Sequence, residues 1–154
     1  MQTVELSRAG LARLQPPMQF PRYDLSHVTA GIVHPGLGGF HRAHMARYTH
    51  DLMQLRPNDA LAWGVAGAST VGSLDVIDRP AIRIVSLTVT EHGYCLNRST
   101  KELDPEHPLV REDLAHPERP SSAIGIIVEA YRRRRDGGRP AFTALNCDNA
   151  EPAE

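Results

Sequence analysis

A strand-length apolar segment that runs directly into a cluster of glycines is the feature that most constrains the fold of this chain. Residues Val28–His34 are apolar and partly β-branched, and Pro35–Gly39 follow at once. Such a cluster indicates a tight turn at the end of a β-strand. From Phe40 onward the apolar residues recur every three or four positions, which predicts a helix that ends before Pro57. Its apolar face consists of Met45, Tyr48, Leu52 and Leu55.

Three more segments have the length and composition of β-strands. They are Leu61–Ala68, Ile82–Thr90 and Ala141–Cys147, of which the second is the richest in β-branched residues and has apolar residues at both parities. Residues 104–120 contain several prolines and are predicted to be irregular.

A second helix is predicted before the last strand. Ile124, Ile127, Val128 and Tyr131 share one helical face. Ser121 or Ser122 supplies a hydroxyl for the N-cap, and Gly137–Gly138 supplies the stop. The resulting alternation of strands and helices predicts an α/β fold with a mostly parallel sheet.

A near-neutral charge and an ordinary composition argue against several classes of protein. Lys and Arg number 17 against 18 Asp and Glu, which gives no reason to expect a nucleic-acid partner. Arg132–Arg135 close the predicted helix, where cations complement its dipole, and are predicted to form a solvated face. Cys95 and Cys147 form no C-x-x-C pair, and no window approaches the roughly 18 apolar residues of a membrane span. We therefore expect a cytoplasmic protein without a disulfide framework or a membrane anchor.

The glycine turn carries part of a dinucleotide-binding fingerprint. Gly36 and Gly38 precede a predicted helix, where missing side chains let backbone N–H groups approach a pyrophosphate at the positive helix end. The third glycine of the pattern G-x-G-x-x-G is replaced by His41. The pattern alone therefore fits either a cofactor turn or a plain strand-to-helix turn.

Side chains at the start of that helix allow two further interpretations. Arg42 is placed to pair with a phosphate or, alternatively, with a surface carboxylate. His41 and His44 have a spacing compatible with metal ligation, but the sequence offers no third ligand and no H-E-x-x-H motif. No metal site is predicted.

Four segments occur in an order that is specific to one group of enzymes. The most distinctive is His34–His44, with the pattern G-x-G-x-F-H-R-A-H; the others are Val85–Tyr94, Ile126–Arg135 and Phe142–Asn149, which ends in C-D-N. Together they resemble the mannitol dehydrogenase and fructuronate reductase family of polyol-type long-chain dehydrogenases. The similarity extends from about Leu6 to Asn149, so coincidence is a poor explanation.

The resemblance implies a fold, a cofactor and a reaction. Residues 1–154 would form a single Rossmann-type domain with helices on the sheet, binding NAD, with NADP left open. Members of the family transfer hydride between a polyol such as mannitol and a ketose such as fructose, and a helical C-terminal domain supplies a catalytic lysine. The implied cofactor-binding residues are Gly36, Gly38, Gly39, Phe40, His41 and Arg42.

The same resemblance gives Asn149 a catalytic role. The asparagine of the family's C-D-N motif helps to hold the substrate oxygen, and an amide N–H suits developing alkoxide charge. Asn149 directly follows a predicted strand, and ligands settle at the carboxyl ends of parallel strands. The alternative is an Asn-capped turn.

The chain departs from the family pattern in two places. Between Gly67 and Arg79 the family has several dozen more residues, among them the acid that binds the adenosine ribose; Asp75 is the nearest substitute. No lysine follows Asn149, and Lys101 is the sole lysine. We therefore expect these residues alone to lack dehydrogenase activity and the Rossmann-like sheet to be incomplete.

Three functions remain open at this point. The first is an NAD-dependent oxidoreductase of the mannitol 2-dehydrogenase type, here represented by its cofactor-binding part. The second is a non-catalytic remnant that at most binds nucleotide. The third, a basic binding module built on Arg132–Arg135, is the least favoured because the net charge is −1. The sequence does not decide the oligomeric state.

Overall fold

The computed structural model describes residues 10–14, 19–68, 72–89, 91–97 and 99–147, together with Ser7 and Pro17. At its centre lies a sheet of four strands in the order β2-β1-β3-β4, with every neighbouring pair parallel. The parallel sheet predicted from the alternation of strands and helices is thus confirmed. The strands are β1 (Ala30–Pro35), β2 (Gly64–Ala68), β3 (Ile84–Leu87) and β4 (Thr143–Asn146).

Helices occupy most of the connections between the strands. They are α1 (Gly39–Ala43), α2 (Met45–Leu55), α3 (Pro57–Ala60), α4 (Ser73–Ile77), α5 (Pro108–Ala115) and α6 (Ala123–Asp136). The helix predicted after Phe40 is interrupted at His44, whose φ of −116° and ψ of −78° separate α1 from α2. The predicted stop is correct, since α2 ends at Leu55 and Pro57 begins α3, where its missing N–H costs nothing.

Residues 104–120 were predicted to be irregular, and this is wrong for the part that forms α5. Pro108 occupies the first helical position, and the side chain of His107 accepts a hydrogen bond of 3.3 Å from the N–H of Leu109. Val110 is the one residue of α5 that is buried. A helix with so small a buried face leaves almost no periodic signal in the sequence.

The strands are shorter than the apolar segments that predicted them. Leu61–Trp63 form a 3-10 turn before β2, and β3 covers only the middle of the predicted Ile82–Thr90 strand. Ile82 is nevertheless fully buried, so it contributes to the core from outside the sheet. Thr90 lies outside the described residues.

A short helix closes the core between β2 and β3. These strands lie on either side of β1, so the chain must cross β1 between them, and α4 forms on that crossover. Leu74 and Ile77 of α4 are buried. The core that they complete consists of Val33, Leu74, Ile77, Ile82, Val85, Ile126, Ala130 and Phe142.

Polar contacts fix both ends of α6 as the sequence predicted. The hydroxyl of Ser122 accepts a hydrogen bond of 2.9 Å from the N–H of Gly125, which confirms the N-cap. Asp113 of α5 in turn accepts hydrogen bonds from the backbone N–H groups of Ser121 and Ser122 and from the Ser122 hydroxyl. At the other end Gly138 adopts a φ of +64°, a conformation that glycine takes without steric cost.

The arginine run at the end of α6 is not a uniformly solvated face. Arg134 is only 2% exposed. Its guanidinium donates hydrogen bonds to the carbonyl oxygens of Pro140 (2.6 Å), Ile77 (2.8 Å) and Arg79 (3.2 Å). Arg134 therefore ties α6 to the end of α4 and to the segment before β4, a role that a pattern of four arginines does not reveal.

Replacement of this buried arginine should destabilise the protein. In Arg134→Met the three carbonyl groups lose their charged donor, and we expect the free energy of unfolding to fall by about 2–4 kcal/mol. Arg135→Met is the matched control because Arg135 is 74% exposed, and it should change the free energy by less than about 0.5 kcal/mol. Urea unfolding measures both, and equal effects would contradict the assignment.

Glu129 forms a second buried charged group on α6. Its side chain is 2% exposed and accepts hydrogen bonds from Arg132 Nε (2.6 Å) and Arg133 Nε (2.8 Å). The hydrogen bond from Arg132 lowers the pKa of Glu129; burial opposes the effect, and the hydrogen bond from Arg133 lowers the pKa further. The carboxylate is thus ionised in the folded protein at neutral pH.

This lowered pKa predicts a pH-dependent contribution to stability. Because the folded-state pKa lies below the unfolded value of about 4.3, the contribution is fully present above that value and is lost as the pH falls through the folded pKa. Glu129→Gln should cost about 1–3 kcal/mol at pH 7, and the difference from the parent chain should shrink below about pH 4. Urea unfolding across pH 3–7 tests this; a constant difference would contradict it.

Candidate functional site

The glycine turn lies between β1 and α1, at the carboxyl edge of the sheet. Gly36 has a φ of +83°, which strongly favours glycine, and its N–H donates a hydrogen bond of 3.1 Å to the carbonyl oxygen of Ala68 at the end of β2. A Cβ atom added at Gly36, Gly38 or Gly39 would meet no atom within 4 Å. The side chain of Leu37 also lies against Gly67 of β2. The first half of the turn is therefore held on β2, and the side where the three side chains are missing is open.

The predicted cofactor-binding side chains differ in their exposure. Phe40 and Arg42 are exposed, whereas His41 is only 5% exposed. Within the described ranges Arg42 forms no ion pair, so its guanidinium is available beside the turn. The turn thus combines open backbone with one exposed cation.

A groove of about 350 Å³ lies next to the turn. It extends across the ends of three strands, because His34 lies in β1, Thr88 follows β3 and Cys147 follows β4. The carboxyl edge of a parallel sheet is the usual place for a ligand. The lining residues are His34, Phe40, His41, His44, Met45, Tyr48, Thr49, Thr88 and Cys147.

Two imidazole rings form the floor of this groove. His34 is 1% exposed, and its Nδ1 lies 2.8 Å from the hydroxyl of Ser86 on β3. The ring of His41 stacks on that of His34 with centroids 4.0 Å apart. Burial lowers the pKa of His41, so its imidazole is neutral at physiological pH. His41 was a candidate from the sequence, but the contact between His34 and Ser86 beneath it could not be predicted, because these two residues are 52 positions apart.

Aromatic side chains line the rim of the groove. The ring of His44 stacks on that of Phe40 at 4.5 Å and meets Tyr48 edge-on at 6.4 Å. Tyr48 is exposed, as are Leu52 and Leu55 further along α2. Of the apolar face predicted for this helix, only Met45 is partly buried; the buried residue of α2 is Met53, which the predicted face did not include.

The end of β4 brings the chain to the groove just before the predicted catalytic residue. Asn146 accepts a hydrogen bond of 2.7 Å from the Tyr94 hydroxyl, and Cys147 lines the groove. Asn149 itself lies outside the described residues.

Two further residues considered from the sequence, Asp75 and Lys101, do not line the groove. Asp75, the substitute for the ribose-binding acid, is 90% exposed and lies 3.5 Å from Arg133 on α6. With Arg133 it lines a second cleft, of about 640 Å³, bounded by α4, α5 and α6 and carrying charges of both signs. Lys101 is exposed in the loop between β3 and α5, with a φ of +60°.

The described ranges hold no group of three or more His, Cys, Asp or Glu side chains that could ligate a metal ion. Nor do they hold a helix long and apolar enough to cross a bilayer.

Comparison with known proteins finds close similarity to sugar and polyol oxidoreductases. D-mannonate oxidoreductase of Escherichia coli is 36% identical over 181 residues, covering 86% of this chain and 37% of that protein. Polyol:NADP oxidoreductase of Gluconobacter oxydans is 33% identical, covering 94% and 39%. No family model matches the chain. Since 181 aligned positions exceed the 154 residues present here, the relative carries additional residues within the matched stretch.

The fold leads to the same group of proteins. Mannitol 2-dehydrogenase of Pseudomonas fluorescens, solved as a ternary complex with NAD and D-mannitol, superposes with a TM-score of 0.84 at 32% identity, over 94% of this chain and 38% of that one. The match includes the parallel sheet and its flanking helices, so the predicted Rossmann-like fold is confirmed. The chain spans about two fifths of the length of the proteins that it matches. Over that stretch it belongs to the mannitol dehydrogenase family.

Proposed function

We propose that these residues form a single domain, the nucleotide-binding part of an oxidoreductase of the mannitol 2-dehydrogenase type. The reaction is hydride transfer between a polyol, with mannitol as the first candidate, and the corresponding ketose. The observation that carries the proposal is the open glycine turn at the carboxyl edge of the sheet. It occurs in a chain that superposes on an enzyme whose solved complex holds NAD and D-mannitol.

Open space around the glycines of the turn supports its assignment to a pyrophosphate. Because a Cβ atom at Gly38 or Gly39 would project into empty space, the backbone there is open to close approach by a ligand. The hydrogen bond from Gly36 to Ala68 holds the start of the turn against β2. Arg42 adds an exposed positive charge, which we assign to a phosphate contact rather than to a surface ion pair.

NAD is the proposed cofactor, and NADP is the alternative. When bound, the nicotinamide would accept hydride from the polyol carbon. In dinucleotide enzymes a carboxylate near the end of the second strand favours NAD by binding the ribose hydroxyls. Asp75 is the candidate from the sequence, but its carboxylate faces Arg133 on α6. A relative named polyol:NADP oxidoreductase supports testing both cofactors.

The groove beside the turn is the proposed substrate side of the site. Asn149 would donate an amide hydrogen bond to the substrate oxygen, since it follows Cys147 by two residues and Cys147 lines the groove. The lysine that would act as base in the family has no counterpart near the groove, because Lys101 lies in the loop before α5. We therefore propose that residues 1–154 on their own bind the cofactor without turning over polyol.

A titration with NADH tests the cofactor site directly. The parent chain should bind NADH, seen as a change in nucleotide fluorescence, and a parallel titration with NADPH ranks the two cofactors. Gly38→Ala should weaken binding about tenfold or more, because the new methyl group enters the space reserved for the pyrophosphate. Its free energy of unfolding should stay within about 0.5 kcal/mol of the parent, since the methyl meets no protein atom.

Two results would contradict these assignments. A folded parent chain that binds neither NADH nor NADPH would remove the basis for the cofactor site. Oxidation of mannitol by these 154 residues with NAD, followed by absorbance of the reduced nicotinamide, would overturn the proposal that they bind without turnover.

A further inference from the structure

Two stacked imidazoles lie at the two ends of the glycine turn. The chain leaves β1 at His34, passes through the turn, and returns at His41 in α1 with the ring of His41 lying on that of His34. The ring centroids are 4.0 Å apart and the planes differ by 21°. Both side chains are at least nine-tenths buried. The contact therefore closes the turn at its base.

The lower ring is fixed by the sheet. The register pairs Ile32 with Ile84 and Val33 with Val85, so the next positions along, His34 and Ser86, are neighbours on adjacent strands. The Ser86 hydroxyl lies 2.8 Å from His34 Nδ1 and 3.4 Å from Met45 Sδ. His34 thus has a partner on β3 that fixes its ring plane, and that partner also touches α2.

The first half of the turn is held on β2 by the Gly36 N–H and by the side chain of Leu37, which lies against Gly67, but the second half lacks such contacts. Residues 36–39 of the turn include three glycines, which lose more conformational freedom on ordering than any other residue. Gly36 is tied to β2 through its N–H, but a side chain at Gly38 or Gly39 would contact no protein atom. The end of the turn that leads into α1 is fixed by His41.

His41 occupies the place of the third glycine in the dinucleotide pattern. That glycine normally permits close packing of the helix on the strand. Here the space between α1 and β1 holds an imidazole pair instead. Nδ1 of His41 is buried without a hydrogen-bond partner in the described ranges, so the contact is made by the face of the ring. The lowered pKa of His41 keeps the ring uncharged, which suits stacking on a second imidazole.

We propose that His41, stacked on the His34–Ser86 pair, is a positioning residue that sets the glycine turn in its ligand-binding conformation before the dinucleotide arrives. His41 acts through the face of its ring and makes no polar contact with the ligand. The inference rests on the proposed function, because the dinucleotide is the ligand of the turn. Preorganisation of this kind raises affinity by removing the cost of ordering the turn.

Three variants of the 154-residue chain test the role of the ring. His41→Phe keeps a planar ring without nitrogen, and His41→Ala removes the ring. His27→Ala is the control, since His27 is 73% exposed and lies before β1. We expect NADH affinity within about threefold of the parent for His41→Phe and His27→Ala, and a loss of about tenfold or more for His41→Ala.

Hydrogen exchange gives a readout that does not depend on the ligand. The backbone amides of residues 37–40 should exchange about tenfold faster in His41→Ala than in the parent, while those of His41→Phe should match the parent. Amides of β3 should be unchanged in both variants. This separates a local effect on the turn from a general loss of stability.

The possible results distinguish the positioning role of His41 from the proposed cofactor binding. Equal NADH affinity and equal exchange in His41→Ala and the parent would overturn the positioning role. A loss in His41→Phe as large as that in His41→Ala would also overturn it, because it would assign the effect to a ring nitrogen. A parent chain that does not bind NADH refutes the proposed function and with it the ligand of the turn, whereas binding that is indifferent to His41 refutes this inference alone.

Discussion

The return of the chain from β2 to β3 is the constraint on which the rest of the structure depends. The two strands lie on opposite sides of β1, so the connection between them must cross β1 to keep the sheet parallel. Such crossovers need a dozen or so residues, usually with a helix. Here α4 is a helix of five residues, and its Leu74 and Ile77 complete the core. Arg134 accounts for its placement, since it binds the carbonyl groups of Ile77 and Arg79 where α4 turns toward β3.

With that crossover in place, the ends of β1 and β3 become neighbours, and the site follows from this. His34 meets Ser86 because β1 pairs with β3, and this pairing requires the connection after β2 to cross β1. The glycine turn is held from both sides, because the N–H of Gly36 bonds to Ala68 of β2 and His34 contacts Ser86 of β3. Arg134 binds the connection that leads into β3, and β3 in turn lies beside the strand that carries the glycine turn.

Local signals in the sequence were sufficient for some elements and insufficient for others. The N-cap at Ser122 and the stop at Gly138 depend on residues within a few positions, so they could be predicted. The parallel sheet followed from the alternation of patterns. Helix α4 could not be predicted, because its five residues become helical only through burial against α6 and β1. The burial of Arg134 is equally non-local, since its partners are 6 to 57 residues away along the chain.

The candidate site shows the same division. Gly36, Gly38 and Gly39 could be identified from the turn that they must make, whereas the burial of His41 against His34 depends on the approach of α1 to β1. In the dinucleotide pattern, His41 is noticed only because it replaces the third glycine. The position of Asp75 could not be predicted either. It lies on α4 opposite Arg133, and not at the end of a strand. Residue type was enough to predict the glycine turn, whereas the strand order determines which side chains lie beneath it.

The side chains that line the groove support the proposal that these residues bind a cofactor without turning over polyol. Oxidation of an alcohol needs an acceptor for the hydroxyl proton beside the site of hydride loss. Of the imidazoles that line the groove, His34 and His41 are buried and engaged with one another. His44 donates from Nδ1 to the carbonyl oxygen of Phe40 at 3.1 Å, which leaves the basic nitrogen Nε2 on an exposed ring at the rim. The His44 ring is thus stacked on Phe40 at the rim and open to solvent, not enclosed in the groove. None of these three imidazoles is thus placed as an enclosed proton acceptor, which favours the proposed binding role.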